Sequence, residues 1–135
     1  MARVLFVCLH NAGRSQMSQA LFARAAEGHH EARSAGTHPA EAIHPQVITA
    51  MQEIGVDLGG RKPALLTDDL AQWAEVVVTM GCGDECPYIP GKKYIDWELP
   101  DPAGRPLGEV RALRTTIDER VRALLESLAP PPLDS

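Results

Sequence analysis

The chain has 135 residues, 44% hydrophobic and 23% charged, with a formal net charge of −5. That size and balance suit one soluble domain with its own core and exclude an intrinsically disordered chain. The acidic balance argues against nucleic-acid or anionic-membrane partners, which call for basic stripes, so any bound anion must be held by a local arrangement. No apolar stretch reaches the ~18 residues that span a bilayer. The opening MARVLFVCLHNAGRS lacks a secretory h-region with a small-residue cleavage site, so a cytoplasmic monomer is expected. Three cysteines, Cys8, Cys82 and Cys86, are an odd number in a chain large enough to fold without staples. They read as reduced thiols with catalytic, metal-binding or packing roles.

Val4, Leu5, Phe6 and Val7 form a continuous apolar run followed by a loop with Asn11 and Gly13, the pattern of a central parallel strand buried on both faces. From Ser15 the spacing of Met17, Ala20, Leu21 and Ala25 is helical, with Ser15 placed to cap the first turn. Residues 31–35 are a short candidate strand closed by Gly36. Residues 44–54 carry Val47, Ile48, Met51 and Ile54 on one helical face, with Gly55 as a stop. Thr67, Asp68 and Asp69 start a helix before Leu70 and Trp73, and residues 76–80 are the clearest strand. A further strand is predicted at residues 93–96. Val110, Leu113, Ile117, Val121, Leu124 and Leu128 then recur at helical intervals until Pro130, Pro131 and Pro132. Trp73, Trp97 and Tyr94 read as core or rim packing.

Strands alternating with helices predict an α/β domain over residues 1–129, a three-layer α/β/α arrangement with a mainly parallel four-stranded sheet and right-handed crossovers. Residues 130–135 are expected to form a loose tail. Ligands in such sheets sit beyond the carboxyl ends of strands where the winding reverses, which directs attention to the loop after the first strand.

That loop is Cys8-Leu9-His10-Asn11-Ala12-Gly13-Arg14-Ser15, a cysteine and an arginine separated by five residues between a strand and a helix start. A short loop wound around a point turns backbone N–H groups inward, and a helix N-terminus adds partial positive charge; together they make a nest for a tetrahedral oxyanion. Arg14 is placed to clamp two of its oxygens, Cys8 to act as a nucleophilic thiolate in the same field, and Ser15 to donate to the sulfur. The plainer alternative is a small buried thiol at a strand end beside a solvated arginine.

The segment VLFVCLHNAGRSQM resembles the phosphate-binding loop of the low-molecular-weight tyrosine phosphatases and, more closely, that of the arsenate reductases sharing their fold. Ser34-Ala35-Gly36, VVVTMGCGDECP over residues 76–87, and Asp101-Pro102-Ala103-Gly104 extend the resemblance along nearly the whole chain. The resemblance implies in-line attack by Cys8 on a bound oxyanion, with Asp101 protonating the leaving oxygen; read alone, Asp101-Pro102 is equally a surface turn. For a reductase it further implies that Cys82 attacks the Cys8 sulfur and expels arsenite. Cys86 then moves the disulfide to Cys82–Cys86, where thioredoxin, or a small thiol such as mycothiol, reduces it. Positions four apart on a helix have Cα atoms about 6 Å apart, within disulfide range. A zinc site is disfavoured, because C-x3-C has no second ligand pair at finger-like spacing. By the same resemblance Asn11 takes left-handed backbone angles and Ser34 hydrogen-bonds it. Some relatives bind potassium here through a helix carboxylate, but Gln19 stands at that position, and no bound cofactor or metal is expected. Ala103, where the phosphatases carry an aromatic residue, favours a compact inorganic substrate over an aryl phosphate. The alternatives are a tyrosine phosphatase in which Cys82 and Cys86 protect Cys8, and an oxyanion-binding module without turnover.

Overall fold

The computed structural model describes residues 2–81 and 90–128; Cys82, Cys86 and the tail expected at 130–135 lie outside the described residues. The apolar run after Arg3 forms β1 (Arg3–Cys8), buried from Val4 to Cys8. It is followed by α1 (Arg14–Ala26), β2 (Glu31–Gly36), α2 (Pro45–Gln52), α3 (Asp68–Trp73), β3 (Val76–Thr79), β4 (Lys93–Asp96) and α4 (Leu107–Leu128). The strands pair in parallel in the order β2-β1-β3-β4. Val4 lies between Ala32 and Val76, and Cys8 lies opposite Gly36.

The alternation of β1 sorts its side chains onto two faces. Val4, Phe6 and Cys8 join the larger core with α1, α2 and α4, while Leu5 and Val7 join a smaller cluster with Ala74 and Val77, covered by Leu66, Leu70 and Trp73. Helices thus flank both faces of the sheet, unequally. Phe6 sits at the centre of the larger core, with ring centroids 5.6 Å from Phe22 and 5.8 Å from Trp97. Trp73 lies at the rim under the Arg33 guanidinium, 4.4 Å from the ring centroid.

Element ends depart from expectation where local hydrogen bonding decides them. Thr67 caps α3 as expected, its hydroxyl accepting from Leu70 N at 3.2 Å. Ser15 does not cap α1: the helix begins one residue earlier at Arg14, and its N-cap is Gly13 with no side-chain bond. The loop closes so tightly that the Ser15 hydroxyl is turned to the Cys8 sulfur instead. α2 is shorter than residues 44–54, starting at Pro45, whose missing N–H suits a first turn. Gly55, with φ 84°, ends the turn that follows. β3 stops at Thr79, although Met80 N still donates to Val7 O at 2.8 Å. α4 begins at Leu107, ahead of the first periodic residue, Val110, and buries Val110, Leu113, Ile117, Val121 and Leu124.

α2 and α4 are joined at the surface by Glu53, whose two oxygens take Arg111 Nη2 at 2.6 Å and Arg114 Nη1 at 2.9 Å. The hydrogen bonds from Arg111, then Arg114, hold the Glu53 carboxyl at about 2, below the usual carboxylate range. Arg114 Nη1 also donates to Ala50 O at 2.6 Å, satisfying a carbonyl near the end of α2. Among the described residues no helix is long and apolar enough to cross a membrane.

Candidate active site

β2 lies on one side of β1 and β3 on the other, so the winding reverses between β1 and β3, and the site lies beyond their carboxyl ends. Residues 9–13 loop out from β1 under strong backbone restraint. The carbonyls of Cys8, Leu9, His10 and Ala12 accept from Thr37 N, His38 N, Ala40 N and His44 N at 3.2, 2.8, 3.0 and 3.0 Å. The N–H of each peptide unit points opposite to its C=O, so outward carbonyls turn the amides of Leu9, His10, Asn11 and Gly13 inward. One of these is directly bonded to the nucleophile candidate: Asn11 N donates to Cys8 Sγ at 3.2 Å. The reversal passes through Asn11 at φ 51°, a left-handed conformation that Asn tolerates better than most residues.

Cys8 is buried, with Sγ 2.8 Å from Ser15 Oγ. Ser15 Oγ accepts from Asn11 Nδ2 at 2.6 Å, leaving its own hydrogen for the sulfur. Two donors thus converge on Sγ, an arrangement suited to a nucleophilic thiolate. Arg14, the first residue of α1, is 7% exposed. Its Nη1 donates to Leu99 O at 3.2 Å, and its Nη2 lies 3.9 Å from Asp101 Oδ2. Asp101 is half-exposed and also builds a turn, accepting from Ala103 N at 3.0 Å, so the turn reading and the proximity to Arg14 hold together. The turn closes on the loop at Gly13, where a Cβ would come within 2.5 Å of Pro102 Cγ.

Cys8, Arg14, Ser15, Asn11 and Asp101 are therefore brought together. Leu9, Ala12 and Gly13 contribute backbone. His10 has its Nδ1 bonded with His38 O at 2.9 Å. Ser34 does not support Asn11: its hydroxyl donates to Gln19 Oε1 at 2.7 Å, and Gln19 Nε2 donates to Ala32 O at 3.1 Å, tying α1 to β2. The support of Asn11 comes from residues to which the sequence assigned no role. Its Oδ1 accepts from Gln16 Nε2 at 2.9 Å and from Ala64 N at 2.8 Å.

Gly36 was legible as a strand end and as part of the Ser34-Ala35-Gly36 resemblance, with no contact assigned to it, yet its Cβ would meet Leu9 O at 2.8 Å and Asn11 N at 2.9 Å; only glycine lets β2 lie flush against the loop. A cavity of about 690 Å³, lined by Thr79, Gly81, Trp97, Leu99 and Pro100 among others, opens beside the Arg14 guanidinium. Cys82 and Cys86 follow Gly81 in the chain but lie outside the described residues.

The family model for the low molecular weight phosphotyrosine protein phosphatases matches residues 3–131. A putative arsenate reductase of Halobacterium salinarum is 38% identical over 130 residues, covering 93% of this chain and 92% of that one. A glutaredoxin arsenate reductase of Synechocystis is 31% identical over 132 residues, covering 96% of this chain and all of that one. Among solved structures, the thioredoxin-dependent arsenate reductase of Corynebacterium glutamicum superposes with a TM-score of 0.80 at 44% identity over 94% of this chain. The match spans only 60% of the Corynebacterium chain.

Proposed function

Because the chain belongs to the low molecular weight phosphotyrosine protein phosphatase family, we propose that within it this protein is an arsenate reductase, converting arsenate to arsenite. The observation that carries the reading is the convergence of Asn11 N–H and the Ser15 hydroxyl on Cys8 Sγ, at the floor of a loop closed by the buried Arg14. In support, the relatives named above carry arsenate reductase names, and the two curated ones align over 92% or more of their length.

The Cys8 thiolate attacks the arsenic of arsenate held by the inward amides and clamped by the fork of Arg14. An oxygen leaves as water, protonated by Asp101. Cys82 then attacks the Cys8 sulfur; the S–As bond breaks with its electron pair remaining on arsenic, so As(V) becomes As(III) and arsenite departs from a Cys8–Cys82 disulfide. Cys86 attacks Cys82, freeing the Cys8 thiolate and leaving Cys82–Cys86, which an external dithiol reduces. Thioredoxin is the favoured donor on the strength of the Corynebacterium relative; a glutaredoxin or a small thiol such as mycothiol is the alternative. No bound cofactor or metal enters this chemistry, and it is that of a monomeric enzyme in the reducing cytoplasm. Ala103 beside Asp101 offers no ring to grip an aryl group, which fits a compact inorganic substrate.

The family description also favours a second reading, hydrolysis of phosphate esters through the same Cys8. One experiment separates them: arsenite production with thioredoxin, thioredoxin reductase and NADPH, beside hydrolysis of p-nitrophenyl phosphate. Cys8→Ser, Cys82→Ser and Cys86→Ser variants are run in both assays. Reduction lost in all three variants supports the relay. Reduction that survives Cys82→Ser sinks it, and ester hydrolysis that depends on Cys8 alone, without arsenate reduction by any thiol donor, transfers the assignment to a phosphatase.

A further inference from the structure

Arg14 starts α1, but the place of its guanidinium is set by other parts of the chain. Leu99 O accepts from Nη1 and Asp101 lies beside Nη2. A further boundary among the described residues is Gly81, which follows β3 with φ 86°. A Cβ at Gly81 would overlap Arg14 Nη1, and would lie 2.9 Å from Cζ and 3.1 Å from Nη2. The guanidinium therefore occupies the space that any side chain at this position would fill.

Of the two parts in contact, the guanidinium yields more readily than the backbone. The backbone leading to Gly81 is anchored by Met80 N donating to Val7 O at 2.8 Å, and Thr79 O accepts from Trp97 N at 2.9 Å. The guanidinium is the far end of a long side chain, and being planar and rigid it moves as a whole when one edge is pushed. The geometry points to Gly81 as a positioning residue, one that holds Arg14 in the attitude needed to clamp the oxyanion with both arms of its fork. This rests on the reading of Arg14 as the clamp. The contribution of Gly81 is the room it leaves. The donors to Cys8, from Asn11 N and Ser15 Oγ, are independent of Gly81.

The test is a double-mutant cycle on the full chain, read as inorganic phosphate affinity by titration calorimetry and as the KM for arsenate. Gly81→Ala is expected to weaken phosphate binding by about 10- to 100-fold, the loss of one hydrogen bond to a charged group. KM rises in step, while the rate of Cys8 alkylation by iodoacetamide stays at the parent value. In an Arg14→Lys background, which keeps the charge without the fork, Gly81→Ala is expected to add nothing. Equal losses in both backgrounds, or an unchanged phosphate affinity in Gly81→Ala, overturn the proposal. If Arg14→Lys binds phosphate as the parent does, the clamp reading itself fails. Should Gly81→Ala not fold, its refolding in an Arg14→Ala chain identifies the guanidinium clash as the cause and supports the proposal. Failure to fold in that chain too assigns the defect to the left-handed backbone and overturns it.

Discussion

Replacing Asn11 by alanine tests whether the loop is held from behind by side-chain hydrogen bonding. Asn11 is fully buried, and its Oδ1 is the acceptor for Ala64 N at 2.8 Å and Gln16 Nε2 at 2.9 Å. Alanine orphans the first donor outright and leaves the second with Lys62 O at 3.5 Å. Ala64 is exposed and water can reach its N–H, so losing this acceptor costs about 0.5–1.5 kcal/mol, and holding a residue with a Cβ in the left-handed region, without the local hydrogen bonding of Asn, adds about 1–2 kcal/mol. The expected loss is about 1.5–3.5 kcal/mol, a sizeable part of the ~5–15 kcal/mol that a domain has in total. Urea unfolding followed by circular dichroism measures it. Asn11→Gly, free at that φ, should recover about 1 kcal/mol of the loss while leaving the donors stranded. A loss below about 1 kcal/mol for Asn11→Ala would refute the account, because neither orphaned donors nor backbone strain then carries weight.

Gly36→Ala drives a methyl into the backbone of Leu9 and Asn11; because backbone yields less readily than a side chain, we expect loss of stability together with loss of phosphate affinity, measured by thermal unfolding with and without phosphate. Phe6→Ala empties the centre of the larger core, at an expected cost of about 3–5 kcal/mol in urea unfolding; a smaller value indicates collapse of α1 onto the sheet. The Glu53 carboxyl is depressed to about 2 by Arg111 and Arg114, so the stability it confers is complete above its unfolded value near 4.5 and is lost as pH falls through about 2. Glu53→Gln should therefore lower the melting temperature at about pH 5 and narrow the gap to the parent at about pH 3, and an unchanged gap rules the linkage out.

What could be read from the sequence follows from how local the determinants are. β1 and β3 were legible because strands covered on both faces are apolar without interruption, and Thr67 announced α3 because a cap acts within one turn. β2 was faint because its first half is not buried and only Ser34, Ala35 and Gly36 reach the interior. The cysteine-to-arginine loop was legible because its chemistry is contained in eight consecutive residues. Its supports were not. Ala64 reaches Asn11 through a backbone N–H, which has no sequence signature, and Gln16 looks like any polar helical residue. The analogy that assigned Ser34 to Asn11 failed because Gln19 competes for the same hydroxyl at 2.7 Å. Gly36 and Gly81 act through absent side chains, and only the fold reveals what would have stood in their way.

The sheet order also has a consequence for how the protein is made. β1 is synthesised well before β3, one of its two neighbours in the sheet, which the ribosome delivers on the order of several seconds later at about 5–20 residues per second. Until then the β3 side of the apolar strand that ends at Cys8 has no partner. A sulfur that is buried in the finished enzyme is thus less protected from oxidants and from mispairing during translation, and α4, which completes the larger core, emerges later still.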